Sequence, residues 1–214
     1  MAQRKGKVFI MTNSVILTAA ANPENQDRGM ILESDVGTVL CVADGAGGMS
    51  GGKEAAMEAI EFVRKNKNRL DSVDACTQAL LEMDEIIANQ KSAGETTCVI
   101  AVVTHRNIFG ASVGDSGAWF VSSGSGEIDD LSQSQNRKPL LGSSMVSPVY
   151  FSSALKTGCL LLASDGLLKY TSREKISASC LQEPIQAAAD QLLALVKSPS
   201  GKLPDDVTII LKKI

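Results

Sequence analysis

The chain has a single histidine, no C-x-x-C pair, no apolar run long enough to cross a bilayer and no excess of positive charge. Each absence removes a class of function. Lys and Arg number 21 against 24 Asp and Glu, for a net charge of -3. With both signs dispersed there is no basic field for nucleic acid, and only Arg4 to Lys7 forms a small basic cluster. Nothing reaches the ~18 apolar residues of a membrane span. The cysteines, Cys41, Cys76, Cys98, Cys159 and Cys180, are odd in number, widely spaced and mostly inside apolar runs, as expected of reduced core residues in a cytoplasmic protein. A thiol nucleophile would need a base. The one histidine, His105, falls in the polar break Thr104-His105-Arg106-Asn107, which has the pattern of a surface hairpin turn.

What is present suffices for a core. The 214 residues are 44% hydrophobic, and a single domain over residues 1–214 is expected, with a monomer as the default state. At the amino terminus, Arg4 to Lys7, Val8 to Met11 and Val15 to Ala21 loosely imitate a secretory signal. Thr12-Asn13-Ser14 cuts the apolar stretch in two, which a two-stranded hairpin explains better. Farther on, Thr38 to Ala43 reads as a strongly apolar strand. Gly52 to Lys65 reads as a helix with Ala56, Ile60 and Val63 on one face, and Val73 to Gln90 as a second helix marked by Leu80, Met83 and Ile87. Strands are expected at Thr97 to Val103, Ile108 to Val113, Ala118 to Ser122, Val149 to Phe151, Gly158 to Ala163 and Val207 to Leu211. A further helix spans Pro184 to Lys197. Ser122 to Ser147, rich in Ser, Gly, Gln, Asn and Pro, reads as a loop. Meandering strands with helices inserted in pairs argue for an α+β fold of antiparallel sheets against helices, not for repeating βαβ units.

Four acidic elements lie far apart, each ending or interrupting an apolar run: Asn25-Gln26-Asp27, Asp44-Gly45-Ala46-Gly47-Gly48, Ser164-Asp165-Gly166 and Pro204-Asp205-Asp206-Val207-Thr208. Strand ends that deliver aspartates to one place offer hard oxygen ligands for Mg²⁺ or Mn²⁺. A competing chemistry overlaps the second element. Gly47 to Lys53 satisfies G-x-x-x-x-G-K between a strand and a helix, and Leu160 to Asp165 has the form of an apolar strand ending in Asp. The phosphate-loop reading fails at Glu54, where a Ser or Thr hydroxyl should hold Mg²⁺ and where a carboxylate would repel phosphate. Taken singly, an aspartate at a strand end is most often a turn former or helix cap.

In order along the chain, Asn25-Gln26-Asp27, Asp44-Gly45-Ala46-Gly47-Gly48, Thr96-Thr97, Gly114-Asp115-Ser116, Ser164-Asp165-Gly166 and Pro204 to Thr208 resemble the N-x-D, D-G-x-G-G, G-T-T, G-D-S, S-D-G and P-D-N-V-T elements of the metal-dependent PPM, or type 2C, protein phosphatases. That resemblance implies an α-β-β-α sandwich of two antiparallel sheets flanked by helices, with two Mn²⁺ or Mg²⁺ ions at one edge. By position it makes Asp44 the bridging ligand, gives one ion Asp27 and the backbone carbonyl of Gly45, and gives the other Asp165 and Asp205. Two cations about 4 Å apart can activate a water for direct attack on phosphorus, with no protein nucleophile. Asp115 corresponds to a looser third-metal site whose partner position is here Lys169. Its ammonium either replaces the third cation or is a solvated helix-start lysine.

Other positions depart from the pattern. An arginine that grips phosphate three residues before N-x-D is replaced by Asn22, leaving Arg28 or Arg137 as substitutes. Gly117 follows G-D-S where Arg is usual, Glu95 precedes Thr96, and Ala46 stands where some members carry a histidine. Ser122 to Ser147 leaves little room for the family's mobile flap, as in a minimal bacterial member. The expected function is hydrolysis of phosphoserine or phosphothreonine on a protein substrate, with Asn22, Arg28 and Lys169 as candidate phosphate contacts. A pseudophosphatase that binds a phosphoprotein without turnover is the alternative, ahead of a nucleotide hydrolase.

Overall fold

The computed structural model describes residues 7–11, 13–46 and 51–214. Gly47 to Ser50, within both the D-G-x-G-G element and the G-x-x-x-x-G-K segment, lie outside the described residues, as do Arg4 to Gly6 and Thr12. Among the described residues eleven strands form two sheets. One has the order β1 (Lys7–Met11), β2 (Ser14–Ala19), β11 (Val207–Lys213), β10 (Gly158–Ala163), β7 (Gly117–Ser122) and β8 (Ile128–Asp130). The other runs β3 (Arg28–Glu33), β4 (Thr38–Ala43), β5 (Cys98–Val103), β6 (Asn107–Val113) and β9 (Val149–Ala154). Every pairing between these strands is antiparallel. Helices α1 (Gly52–Asn66) and α2 (Val73–Ala88) cover the second sheet. The first is covered by α3 (Asp165–Leu168), α4 (Arg173–Cys180) and α5 (Ile185–Val196). This is the expected α-β-β-α sandwich.

Strand alternation builds its layers. In β4, Val39, Cys41 and Ala43 face α1 and α2, while Leu40 and Val42 face the opposite sheet. In β10, Cys159, Leu161 and Ala163 face α4 and α5, and Leu160 and Leu162 meet Leu40 and Val42 across the middle. Both strands are buried on both faces, so they read as continuous apolar runs. Each fully buried Leu or Val contributes about 1.5–3 kcal/mol, and Leu160→Ala, which opens a cavity between the sheets, should cost about 2–5 kcal/mol. The helical faces agree with their spacing: Ala56, Ile60 and Val63 of α1 and Leu80, Met83 and Ile87 of α2 are buried. Ser72 caps α2 by accepting from Ala75 N–H at 3.2 Å.

The amino-terminal apolar stretch is a hairpin, β1 pairing with β2 across a turn in which Asn13 adopts φ +60°. All five cysteines are buried and reduced. His105 lies exposed in the β5–β6 turn, closed by Thr104 N–H donating to Asn107 O at 2.9 Å. Four elements escape the sequence reading. β3 is an edge strand with charged ends, and α4 buries only Ile176 and Cys180 of its large apolar positions. α3 is a single turn. The loop read over Ser122 to Ser147 contains β8, a three-residue strand hydrogen-bonded to β7. Among the described residues no helix is long and apolar enough to cross a membrane.

Candidate metal centre

Register brings the acidic elements to one edge. Arg28 pairs with Ala43, so Asp27 and Asp44 flank the same end of β3 and β4. In the other sheet Ala163 pairs with Ile209 and with Gly117, so Asp165, Asp205 and Asp115 gather at the matching ends of β10, β11 and β7. Close approach is enforced by glycine. A Cβ on Gly166 would lie 1.9 Å from Asp206 O, and one on Gly45 would lie 2.4 Å from the Gly52 backbone.

Asp27 is buried, with 2% of its surface exposed. Its Oδ2 accepts from Ser164 Oγ at 2.7 Å, its N–H donates to Asn25 Oδ1 at 2.8 Å, and its Oδ1 has no partner at all. An unpaired buried carboxylate oxygen is costly unless something cationic meets it. Burial pushes the Asp27 carboxyl up to about 7, the charge of Asp206 adding to the rise and the Ser164 hydrogen bond opposing it. Asp44 is pushed up to about 10, by burial first and then by the charges of Asp27, Asp165 and Asp205. Its backbone is pinned: Asp44 N–H donates to Thr97 Oγ1 at 3.0 Å, and Asp44 O accepts from Thr97 N–H at 2.8 Å and Thr96 Oγ1 at 2.9 Å. Thr97 Oγ1 lies 2.7 Å from Ser116 Oγ, tying the threonine pair to the Gly114-Asp115-Ser116 turn.

Asp165 opens α3. Burial raises its carboxyl, with Asp115 and Asp205 adding to the shift and Lys169, 3.6 Å away on the next turn, opposing it. Asp205 is half-buried and accepts from Asp206 N–H at 2.9 Å. The neighbouring Asp206 serves the backbone instead. Its Oδ1 accepts from Ala21 N–H at 2.8 Å and its Oδ2 from Gln26 N–H at 2.7 Å, stapling the loop that carries Asp27. Among the described residues no three His, Cys, Asp or Glu side chains stand ready-assembled as a ligand cluster. The donors are nonetheless hard oxygens, and the orphaned Asp27 Oδ1 together with the Asp44 carboxyl fits divalent Mg²⁺ or Mn²⁺.

The candidate phosphate contacts are dispersed. Asn22 is exposed in the loop between β2 and β3. One nitrogen of the Arg28 guanidinium is engaged by backbone, Nη1 donating to Asn25 O at 2.9 Å and Asp27 O at 2.6 Å. Lys169 pairs with Asp165, while Asp115 is held by Arg137, Nε to Oδ2 at 2.7 Å. Lys53, which a phosphate loop would require, is bound to Glu24 at 2.5 Å, and Glu54 is exposed. Sequence reasoning missed Ser164 as the orienting donor, Asp206 as the staple and the Arg137 contact. Ser164 could have been noticed from its place inside the S-D-G element.

The model of the protein phosphatase 2C family matches residues 19–140. Comparison with curated proteins finds no match. Among solved structures, a mutant bacterial serine phosphatase superposes with a TM-score of 0.81 at 24% identity, covering 94% of this chain and 97% of that one. The serine/threonine phosphatase Stp1 of Staphylococcus aureus gives 0.77 at 22%, covering 100% and 99%. The Mycobacterium tuberculosis serine/threonine phosphatase PstP/Ppp gives 0.76 at 20%, covering 94% and 97%. At these identities the likeness to solved structures is one of fold.

Proposed function

This chain belongs to the protein phosphatase 2C family and is a protein phosphatase of that metal-dependent type, and from that premise we propose that it hydrolyses phosphoserine and phosphothreonine on protein substrates at a two-metal centre. The ligands we assign are Asp44 as the bridge, Asp27 and the Gly45 carbonyl on one ion, and Asp165 and Asp205 on the other. Mn²⁺ or Mg²⁺ bound there would lower the pKa of an attacking water and offset charge on the phosphoryl oxygens. The observation that carries the reading is the buried, unpartnered Oδ1 of Asp27 beside the carboxyl of Asp44.

The chain's own residues prepare that chemistry. Ser164 commits Oδ2 of Asp27 to a hydrogen bond and so leaves Oδ1 available as a metal donor. Thr96 and Thr97 fix the Asp44 backbone, which holds the next carbonyl, that of Gly45, in register. No imidazole serves the leaving group. Thr38 pairs with Val103, so the turn bearing His105 adjoins the end of β4 opposite Asp44, about 20 Å away along a six-residue strand. We read residues 1–214 as one such domain, its flap reduced to the segment Ser122 to Ser147. The test is turnover of a phosphoserine peptide and of p-nitrophenyl phosphate with Mn²⁺, with Mg²⁺ and with chelator. Metal-dependent, chelator-sensitive turnover is expected. Turnover that survives chelation would contradict the reading, and phosphopeptide binding without turnover under saturating Mn²⁺ would establish a pseudophosphatase.

A further inference from the structure

Asp115 and Asp165 act on each other as like charges, and each has acquired its own cation: Arg137 on Asp115 at 2.7 Å, Lys169 on Asp165 at 3.6 Å. Surface ion pairs ordinarily contribute little, because two long side chains must be ordered to make them. Arg137 differs in its tether. Two residues before it, Gln135 Nε2 donates to Ser116 O at 2.8 Å, beside the very carboxylate that Arg137 holds. Three and four residues after it, Leu140 and Leu141 are buried, and Leu141 exchanges backbone hydrogen bonds with Thr96 at 3.0 and 3.1 Å. The guanidinium is therefore delivered to Asp115 on a short chain fixed at both ends, which lowers the entropy lost in forming the pair. It is 69% exposed, so nothing in the core requires it.

We propose that Arg137 is a built-in counter-ion that occupies Asp115 and keeps a further divalent cation off the Asp115–Asp165 side of the centre, so that the resting enzyme works with two ions. The proposal rests on the two-metal reading above and adds to it a limit on metal number. Without the guanidinium, Asp115 keeps no cation of its own, and Lys169 remains paired with Asp165 alone. A divalent ion from solution is then the natural replacement, having two charges and a demand for oxygen ligands.

Mn²⁺ binding, read from the electron paramagnetic resonance signal of the free ion, tests this without reference to activity. The parent should bind two Mn²⁺ and Arg137→Gln should bind a third, or bind its weakest ion about fivefold or more tighter. Arg137→Lys, which restores the charge, should stay near the parent, and adding Asp115→Asn to Arg137→Gln should remove the extra binding. Identical stoichiometry and affinity in parent and Arg137→Gln would overturn the proposal, as would three ions in the parent. If the parent binds no Mn²⁺, the two-metal reading falls too. Two ions in both proteins with unchanged affinity would overturn the counter-ion role alone.

Discussion

Replacing Asp44 by Asn should have opposite effects on the metal-free and the metal-loaded protein. The Asp44 carboxyl, ordinarily near 3.8, is pushed up to about 10 by burial and by Asp27, Asp165 and Asp205. The folded metal-free chain therefore holds a proton there that the unfolded chain releases above its ordinary value. Stability from this group is complete below about 3.8 and falls as pH rises toward the folded value. The full shift corresponds to roughly 5 kcal/mol at about pH 7.5 and roughly 1.6 kcal/mol at about pH 5. Water at the open sheet edge and movement of neighbouring carboxylates reduce both figures, so a gain of about 2 kcal/mol at the higher pH and under about 1 at the lower is the working expectation. Asn copies the protonated acid in shape and removes the titrating group. In chelator, Asp44→Asn should thus be more stable than the parent, increasingly so as pH rises. With Mn²⁺ at about 100 times its dissociation constant the parent gains about 2.7 kcal/mol that the variant cannot match, and the order reverses. Urea unfolding at both pH values, with and without metal, reads all four cases. A variant less stable than the parent in chelator at about pH 7.5, or a difference independent of pH, would refute the reasoning.

Three further outcomes follow from the same geometry. Lys169→Ala should lower phosphopeptide turnover several-fold by removing a positive charge beside Asp165, and Lys169→Asp should shift activity to higher Mn²⁺; two variants equal to the parent would make Lys169 a bystander. With His105 at the far end of β4, His105→Ala should leave kcat unchanged, and an aryl phosphate should turn over faster than a phosphoserine peptide because phenolate leaves without a proton; a loss confined to the peptide would place the turn in the site. Asp84, buried on α2, accepts Gly142 N–H at 2.7 Å, Ser144 N–H at 3.1 Å and Val146 N–H at 3.3 Å, so Asp84→Ala should cost about 2–4 kcal/mol in urea unfolding, whereas a loss below about 0.5 kcal/mol would deny it this anchoring role.

The parts of the fold legible in the sequence are those in which one physical demand dominates. β4 and β10, buried on both faces, admit little besides apolar residues, and α1, α2 and α5 repeat theirs at helical spacing. β3 and β8 lie at or near sheet edges, where half the surface is free to be polar, and α4 shows the core only two large apolar side chains. Asp44 and Asp165 are visible because each follows such a strand. Their partners are not. Asp205 and Asp206 are neighbours of one chemical type, and only the fold turns Asp206 toward Ala21 and Gln26. Likewise, no spacing rule links Arg137 to Asp115 across 22 residues, since the contact depends on how Gln135 and Leu141 anchor the intervening chain. The contacts of Arg28, a candidate phosphate ligand beside the N-x-D element, are also set by the fold, which turns its Nη1 toward the carbonyls of Asn25 and Asp27.

The most direct test of the metal centre is phosphoserine-peptide turnover by Asp44→Ala and Asp165→Ala under saturating Mn²⁺, with circular dichroism of each variant as the control on folding. Loss of the bridging ligand should misplace the water or release the ions, so both variants should fall by about a thousandfold or more while keeping the fold of the parent. Turnover in Asp44→Ala equal to that of the parent would contradict the assignment.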